Sequence, residues 1–315
     1  MADFRSATVW DLNTGVTILK LQQSDEDIAA SAMSRDGRFA ATGSGSGGEI
    51  PTHHDNAIRV WDLRTQKVVD RIDVKASELQ FSPDGKYLLI TGVSLSSVWL
   101  WNLKAHRIEL SHPAHYAELT ADSSQLVTGD IRQIVVWDVK TKKQKQVIDC
   151  PFPRYFFESM QLSQDGKQLL TSCSDYVIRS WDLATGRLLH EFLGQPTFLI
   201  GAGYAQNGKL VVSPCLDGTM RAWDASSAKL IYSIDCREQI MDQQFSPDGN
   251  RCLLETRKGV FLMDTVNGKI LAVLELFQPV NDACTAGDKL IVLRDPMQIY
   301  DWKTGSLIKQ VTLQK

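Results

Sequence analysis

The chain has 315 residues and a formal charge of −3, with 43% hydrophobic and 23% charged residues. That length holds two average domains or one large repeat domain. The slightly acidic balance argues against a nucleic-acid binder, which usually shows a basic face. No apolar run approaches the roughly eighteen residues a membrane helix needs. The opening MADFRSATVWDL lacks the charged-then-apolar layout of a secretory leader. Cys150, Cys173, Cys215, Cys236, Cys252 and Cys284 are scattered, with no C-x-x-C pair and no zinc-like spacing. Disulfide frameworks belong mainly to small secreted domains. The expectation is therefore reduced thiols in a cytosolic or nuclear protein.

In chain order, the first recognisable piece is SATVWDLNTG from Ser6, followed by the apolar run VTILKLQ. Four short strands follow, at 28–34, 39–42, 57–61 and 67–73. An Asp-Gly turn in SRDGRF joins the first two. Such pairs supply the positive φ that tight hairpins need. The end of this unit, NAIRVWDLRT from Asn56, repeats the opening piece. It returns as SSVWLWNLKA from Ser96, QIVVWDVKTK from Gln133, YVIRSWDLATG from Tyr176 and GTMRAWDASS from Gly218. Two weaker copies are GVFLMDTVNG from Gly259 and MQIYDWKTG from Met297. The key aromatic or its replacement is Trp10, Trp61, Trp101, Trp137, Trp181, Trp223, Met263 and Tyr300. Most intervals are about forty residues, the period of a four-stranded propeller blade. SPDGKY, ADSSQL, SQDGKQ, AQNGKL, SPDGNR and AGDKLI fill the matching turn slots. The apolar runs beside them are of strand length, and no long helix-period segment occurs.

On these motifs the chain resembles the WD-repeat β-propeller family over nearly its whole length. The expected fold is all-β: a seven-bladed β-propeller of four-stranded antiparallel blades, forming a single domain over residues 1–315. The blades fall at approximately 23–73, 74–110, 111–149, 150–192, 193–234, 235–274 and 275–315. Innermost strands are expected to start near Ile28, Ser77, Tyr116, Glu158, Leu199, Ile240 and Val280. Residues 1–22 are surplus. A ring closed by strand exchange needs one spare fourth strand, but here a spare third strand comes with it. The chain is expected to be an excerpt of a longer array. The alternative is a complete chain whose residues 5–22 add to one blade or form a partial eighth.

The resemblance also implies a hydrogen-bond chain from a Gly-His pair through Ser or Thr and an Asp to the Trp. No Gly-His pair exists here. The Asp six residues before the Trp is present as Asp55, Asp175 and Asp217, but Leu95 and Arg257 replace it in two units. Apolar packing is then expected to carry more of the stability.

The stretch GSGSGGEIPTHHDNAIRVWDL at 43–63 holds about nine more residues than its siblings, between the second and third strands. In the family that connection lies on the top face, the usual docking surface. It lacks the Lys and the following helix of a phosphate-binding loop. Glu49, His53 and His54 have His112 and His115 on the same face. Adjacent histidines on an extended segment point apart, however, and a metal needs about three converging ligands. No metal or cofactor is expected. A solvated loop and a partner-contact loop both stay open.

Arg154, Tyr155 and Phe156, in CPFPRYFFES, are expected at the top rim, either as hot-spot residues or as local packing over the blade. Phe198 occupies the equivalent connection of the next blade, as a contact or as a buried ring, and Arg237 with Glu238, in CREQI, and Arg257 with Lys258, in TRKG, are further candidates as contacts or as solvated charges. Trp99 takes the slot of Arg59, Arg179 and Arg221, and a core aromatic is expected there over an exposed anchor. No G-x-S-x-G elbow appears, and the carboxylates lie in turns or beside Trp. The expected function is a non-catalytic protein-interaction scaffold, with proteins or peptides docking on Arg154, Tyr155, Phe156, His53, His54, Glu49, Phe198, Arg237 and Arg257. The alternatives are a small-molecule or metal-dependent hydrolase using the central channel, and a sensor or architectural segment of a larger protein. Neither nucleic acid nor membrane is an expected partner.

Overall fold

The computed structural model describes residues 6–10, 17–22, 28–44, 57–92, 97–130, 132–150, 157–195, 197–246, 249–256, 259–275, 283–286, 289–292, 297–301 and 306–311. They divide into two compact units, residues 1–151 and 152–315.

The first unit opens with a two-stranded hairpin, Ser6–Trp10 against Thr17–Gln22. Three four-stranded antiparallel sheets follow. Sheet I contains Ile28–Met33, Phe39–Ser44, Ile58–Asp62 and Lys67–Ile72. Sheet II contains Ala76–Phe81, Tyr87–Gly92, Ser97–Asn102 and Arg107–Pro113. Sheet III contains Tyr116–Leu119, Gln125–Gly129, Gln133–Asp138 and Gln144–Asp149.

The second unit holds four more. Sheet IV contains Phe157–Leu162, Gln168–Cys173, Ile178–Asp182 and Leu188–Phe192. Sheet V contains Gly203–Ala205, Leu210–Pro214, Thr219–Asp224 and Leu230–Asp235. Sheet VI contains Ile240–Phe245, Arg251–Thr256, Gly259–Asp264 and Ile270–Glu275. Sheet VII contains Ala283–Ala286, Lys289–Val292, Met297–Asp301 and Leu307–Val311. Every sheet is a meander of four consecutive strands, so the repeated unit is blade-like.

The local chemistry explains the repeat. In the first turn of sheets I, II and IV, Ser34, Ser82 and Ser163 donate Oγ–H to Asp36, Asp84 and Asp165 at 2.7 Å. Each following glycine, Gly37, Gly85 and Gly166, takes φ near +68°. The Asp beside the Trp closes the turn between the third and fourth strands. Asp62 accepts the N–H groups of Arg64 and Thr65 at 3.0 Å, and Asp182 accepts that of Thr185 at 2.7 Å. The register slips at the Trp slot in all seven sheets and in the hairpin. A bulge there adds local twist.

The inner pairs carry the apolar load. In the first unit Ala30, Ala41, Ile58 and Val60 pack on Ala76, Leu79, Leu88 and Ile90. Burying each large aliphatic chain contributes about 2 kcal/mol. Trp99 joins this cluster half-buried. An added Cβ at Gly92 would sit 3.0 Å from its ring, so Gly92 makes room for the core aromatic.

One expectation changes. The fifth innermost strand begins at Gly203, whereas Leu199 makes only an isolated bridge to Cys215. Gly201 and Gly203 leave no side chain there. A Cβ would lie 2.1 Å from the Gln243 amide and 2.5 Å from the Phe245 ring, so neighbouring side chains fill that space. Among the described residues the two hairpin strands pair with each other, and the four strands of sheet VII come from 283–311. Val280 lies outside the described residues.

Candidate partner-docking site

The tryptophans show how the buried polar chain is replaced. In sheets I, III and IV the indole N–H of Trp61, Trp137 and Trp181 donates to Thr42, Thr128 and Thr171 at 3.1, 3.0 and 2.9 Å. Each Thr lies two residues beyond the Trp's cross-strand neighbour, namely Ala40, Leu126 and Leu169. In sheet II that position is Ile90, and Trp101 donates instead to Asp70 at 3.0 Å. In sheet V it is Ser213, whose hydroxyl bonds the Gly201 carbonyl at 2.6 Å, and Trp223 donates to the Leu193 carbonyl at 3.1 Å. The bond to the Trp survives without the upstream histidine.

The Asp six residues before the Trp serves an arginine. Arg179 is 3% exposed. Its guanidinium grips Asp175 through two bonds of 3.2 and 2.6 Å, and its Nε reaches Glu191 at 2.9 Å. This pins the turn 174–177 that carries Tyr176. Tyr176 has φ +63°, a region that is strained for a bulky side chain. Its ring meets Phe198 edge-on, with centroids 5.1 Å apart. Phe198 is 50% exposed, and Leu193, earlier in the same connection, is 59% exposed.

Backbone bonds extend this rim. Leu216 N–H donates to the Phe198 carbonyl at 3.0 Å, and Cys236 N–H to the Gly218 carbonyl at 2.8 Å. An added Cβ at Gly218 would lie 2.5 Å from the Glu238 carbonyl oxygen, so the two connections touch. Arg237 stands exposed beside that contact, with φ +60° and its N–H on Asp235 at 2.7 Å. Tyr176, Phe198, Leu216 and Arg237 thus follow one another across sheets IV to VI. Of the predicted residues, Phe198 and Arg237 are among the described ones, each in the connection that leads into the next sheet.

Arg154, Tyr155, Phe156, His53, His54, Glu49 and Arg257 lie outside the described residues. His112 is half-buried with its ring 4.9 Å from that of Trp137, and burial pushes its pKa down. No group of three or more His, Cys, Asp or Glu is placed to hold a metal among the described residues. Among the described residues no helix is long and apolar enough to cross a membrane. Cys150, Cys173, Cys215, Cys236 and Cys252 are buried thiols outside any disulfide. Burial raises Cys173 to about 12 and Cys215 and Cys236 to about 11, away from thiolate chemistry. Glu158 is pushed up by burial, and its Oε2 is buried without a hydrogen-bond partner.

Tyr176 escaped sequence reading, although a signal was present. Its slot holds Gly218 in the next repeat and Asn56 in the first, both residues that tolerate a left-handed backbone. A tyrosine there is out of pattern. Leu193 and Leu216 gave no comparable signal.

A scan against protein-family models finds no match. Periodic tryptophan protein 2 of Arabidopsis thaliana is 28% identical over 190 residues, covering 56% of this chain and 19% of that protein. Protein groucho of Drosophila melanogaster is 26% identical over 166 residues, covering 46% of this chain and 22% of that protein. The chain is a distant relative of WD-repeat proteins. It spans about a fifth of the length of these curated relatives. Among solved structures, the computationally designed Ika8 protein superimposes with a TM-score of 0.71, covering 90% of this chain and 86% of that one. At 19% identity this is a likeness of fold alone.

Proposed function

We propose that the protein is a non-catalytic interaction scaffold, a single WD-repeat propeller over residues 1–315 whose blades are the seven sheets. The in-phase repeats and the distant WD-repeat relatives support this reading. A protein or peptide lays an apolar segment along the rim of Tyr176, Phe198 and Leu216, and Arg237 bonds a carboxylate beside it. Arg154, Tyr155, Phe156, Arg257, Glu49, His53 and His54 are kept as further candidate contacts on their sequence alone. Aromatic and Arg anchors supply most of the energy of such an interface. The observation that carries the reading is the Tyr176–Phe198 pair, a half-buried ring against an exposed one, held at the cost of a left-handed backbone at Tyr176. Strain of that kind, about 1–3 kcal/mol, concentrates at working surfaces. We place the protein in the cytoplasm or nucleus, in keeping with its free buried cysteines.

The test compares affinity capture from cell extract by the intact protein, by a Phe198→Ala, Arg237→Glu variant, and by an Arg154→Ala, Tyr155→Ala, Phe156→Ala variant, with thermal melting of each. A stoichiometric partner held by the intact protein and lost from folded variants supports the rim. Identical partners on all three baits overturn it.

A further inference from the structure

We infer that the turns of sheets I to III form a cationic docking strip, and that its partner is an acidic protein segment, an extended stretch rich in Asp and Glu. The strip lies at the end of the sheets away from the connections that form the rim, and the inference does not depend on that rim.

In an antiparallel meander the first and third turns fall at the same end of the sheet. Backbone bonds tie the two together here. Leu63 N–H donates to the Arg38 carbonyl at 2.8 Å, Leu103 N–H to that of Lys86 at 3.0 Å, and Val139 N–H to that of Ser124 at 3.0 Å. Contacts between neighbouring sheets then join the turns into one surface. His106 Nδ1 lies 2.5 Å from Asp70, on the fourth strand of sheet I. Lys142 Nζ lies 2.5 Å from Glu109, on the fourth strand of sheet II, and 5.3 Å from the centre of the Tyr87 ring. Asp84 N–H donates to the Ser123 hydroxyl at 3.2 Å and links the first turns of sheets II and III. His106 and Lys142 sit in the left-handed slot of the third turn, with φ +51° and +61°. That slot holds Gly186, Ala228 and Gly268 in sheets IV, V and VI, so only the first unit uses it to reach across to a neighbouring sheet's carboxylate among the described residues.

The charge gathered there is one-sided. The third turns of sheets IV, V and VI carry one cation each, Arg187, Lys229 and Lys269. That of sheet I carries Arg64 and Lys67, that of sheet II Lys104 and Arg107, and that of sheet III Lys140, Lys143 and Lys145 beside Lys142. All but Lys142 are exposed. Lys142 and Arg107 face Glu109 at 2.5 and 3.9 Å, whereas Lys104, Lys140, Lys143 and Lys145 have no ion-pair partner among the described residues. An Asp opens this turn in the other sheets. In sheet II Asn102 takes its place and still accepts the N–H groups of Lys104 and Ala105 at 2.9 and 2.8 Å. The turn keeps its bonding, and the middle of the strip loses a negative charge. A cationic strip on a chain of formal charge −3 selects an anionic partner by charge complementarity. An acidic peptide fits it better than a nucleic acid. Lys142 covers the Tyr87 ring and removes it as a platform for a base. Asp84, Asp122 and Asp138 lie in the same turns, where a continuous phosphate backbone would meet them and separate carboxylate side chains can step past.

The probe is a fluorescein-labelled peptide of alternating Glu, Asp, Gly and Ser. Fluorescence anisotropy measures its binding to the full chain, and hydrogen–deuterium exchange locates it. The expected result is saturable binding that weakens with salt, with new protection at 104–107 and 140–145. A Lys104→Glu, Lys143→Glu, Lys145→Glu variant is expected to bind at least about tenfold more weakly, because attractive contacts become repulsive ones. An Arg187→Glu, Lys229→Glu, Lys269→Glu variant changes the net charge equally at the matching turns of the second unit, and is expected to bind within about twofold of the intact protein. Thermal melting checks that both variants fold; every substituted side chain is exposed. Three outcomes overturn the inference: no binding at millimolar peptide in low salt; equal loss in the two variants, which is an effect of net charge alone; or tighter binding of a single-stranded oligonucleotide or of phosphatidylserine vesicles than of the peptide.

Discussion

Sheets IV and V are neighbours in sequence with the same strand plan, yet they handle the same two slots differently. In sheet IV, Asp175 is gripped by a buried Arg179 and is followed by Tyr176 in a left-handed backbone. In sheet V, Asp217 turns instead to Thr219 at 2.6 Å and is followed by Gly218, while Arg221 bonds Thr219 and Gln195. A repeat keeps its strands through turn and pairing chemistry, and that leaves the slots between strands free to diverge. Where a slot carries a half-buried aromatic on strained backbone, an ion pair beneath it holds the turn. Where it carries glycine, no such clamp is needed.

The comparison breaks most sharply at the arginines. Arg179→Met removes the cation from between Asp175 and Glu191 and is expected to cost about 3 kcal/mol, the scale for breaking a buried pair. Arg221→Met, at a half-buried site, is expected to cost about 1 kcal/mol. Urea denaturation of both variants measures the gap, and equal losses would remove the clamp from the account. Next comes the exchange of the turn residues. Gly218→Tyr drives a Cβ into the Glu238 carbonyl and is expected to destabilise by about 2 kcal/mol or more. In Tyr176→Gly, relief of strain offsets the lost ring contact, so the expected change is within about 0.5 kcal/mol. A symmetric pair of losses would mean that Tyr176 is not strained.

The tryptophan bonds sharpen the contrast further. Thr171→Val leaves the Trp181 indole N–H buried without its acceptor and is expected to cost about 2 kcal/mol. Ser213→Ala spares Trp223, which bonds the Leu193 carbonyl, and is expected to cost about 1 kcal/mol. The smallest effect is electrostatic. The hydroxyls of Ser226 and then Ser227, with the Ser227 N–H, hold Asp224 at about 2. Its folded value lies below its unfolded one, so its contribution is present above about pH 4. That contribution is lost as pH falls from there through about 2. Ser226→Ala with Ser227→Ala is expected to flatten stability against pH in that window, read by denaturation at several pH values.

Much of this was legible beforehand, for identifiable reasons. The strands of sheet I were expected at 28–34, 39–42, 57–61 and 67–73, and are found at Ile28–Met33, Phe39–Ser44, Ile58–Asp62 and Lys67–Ile72. Asp-Gly turns and alternating apolar residues act over a few neighbours, so one repeat reports its own strands. Trp99 was expected in the core and packs there. The fifth innermost strand was misplaced because Gln243 and Phe245, some forty positions away, fill the space beside Gly201 and Gly203. In the candidate site, Phe198 and Arg237 were visible as residue types in equivalent connections, but Leu193 and Leu216 were not, since an exposed leucine looks like any other in a sequence.

What the sequence determined by itself is the repeat: where each turn falls and which residues alternate inward. Local backbone preference and period-two burial are written residue by residue, so they need no tertiary context. What only the tertiary structure decided is who satisfies whom. Arg179 takes Asp175 and Glu191, Trp101 takes Asp70 rather than a threonine, and Tyr176 meets Phe198 across a sheet boundary.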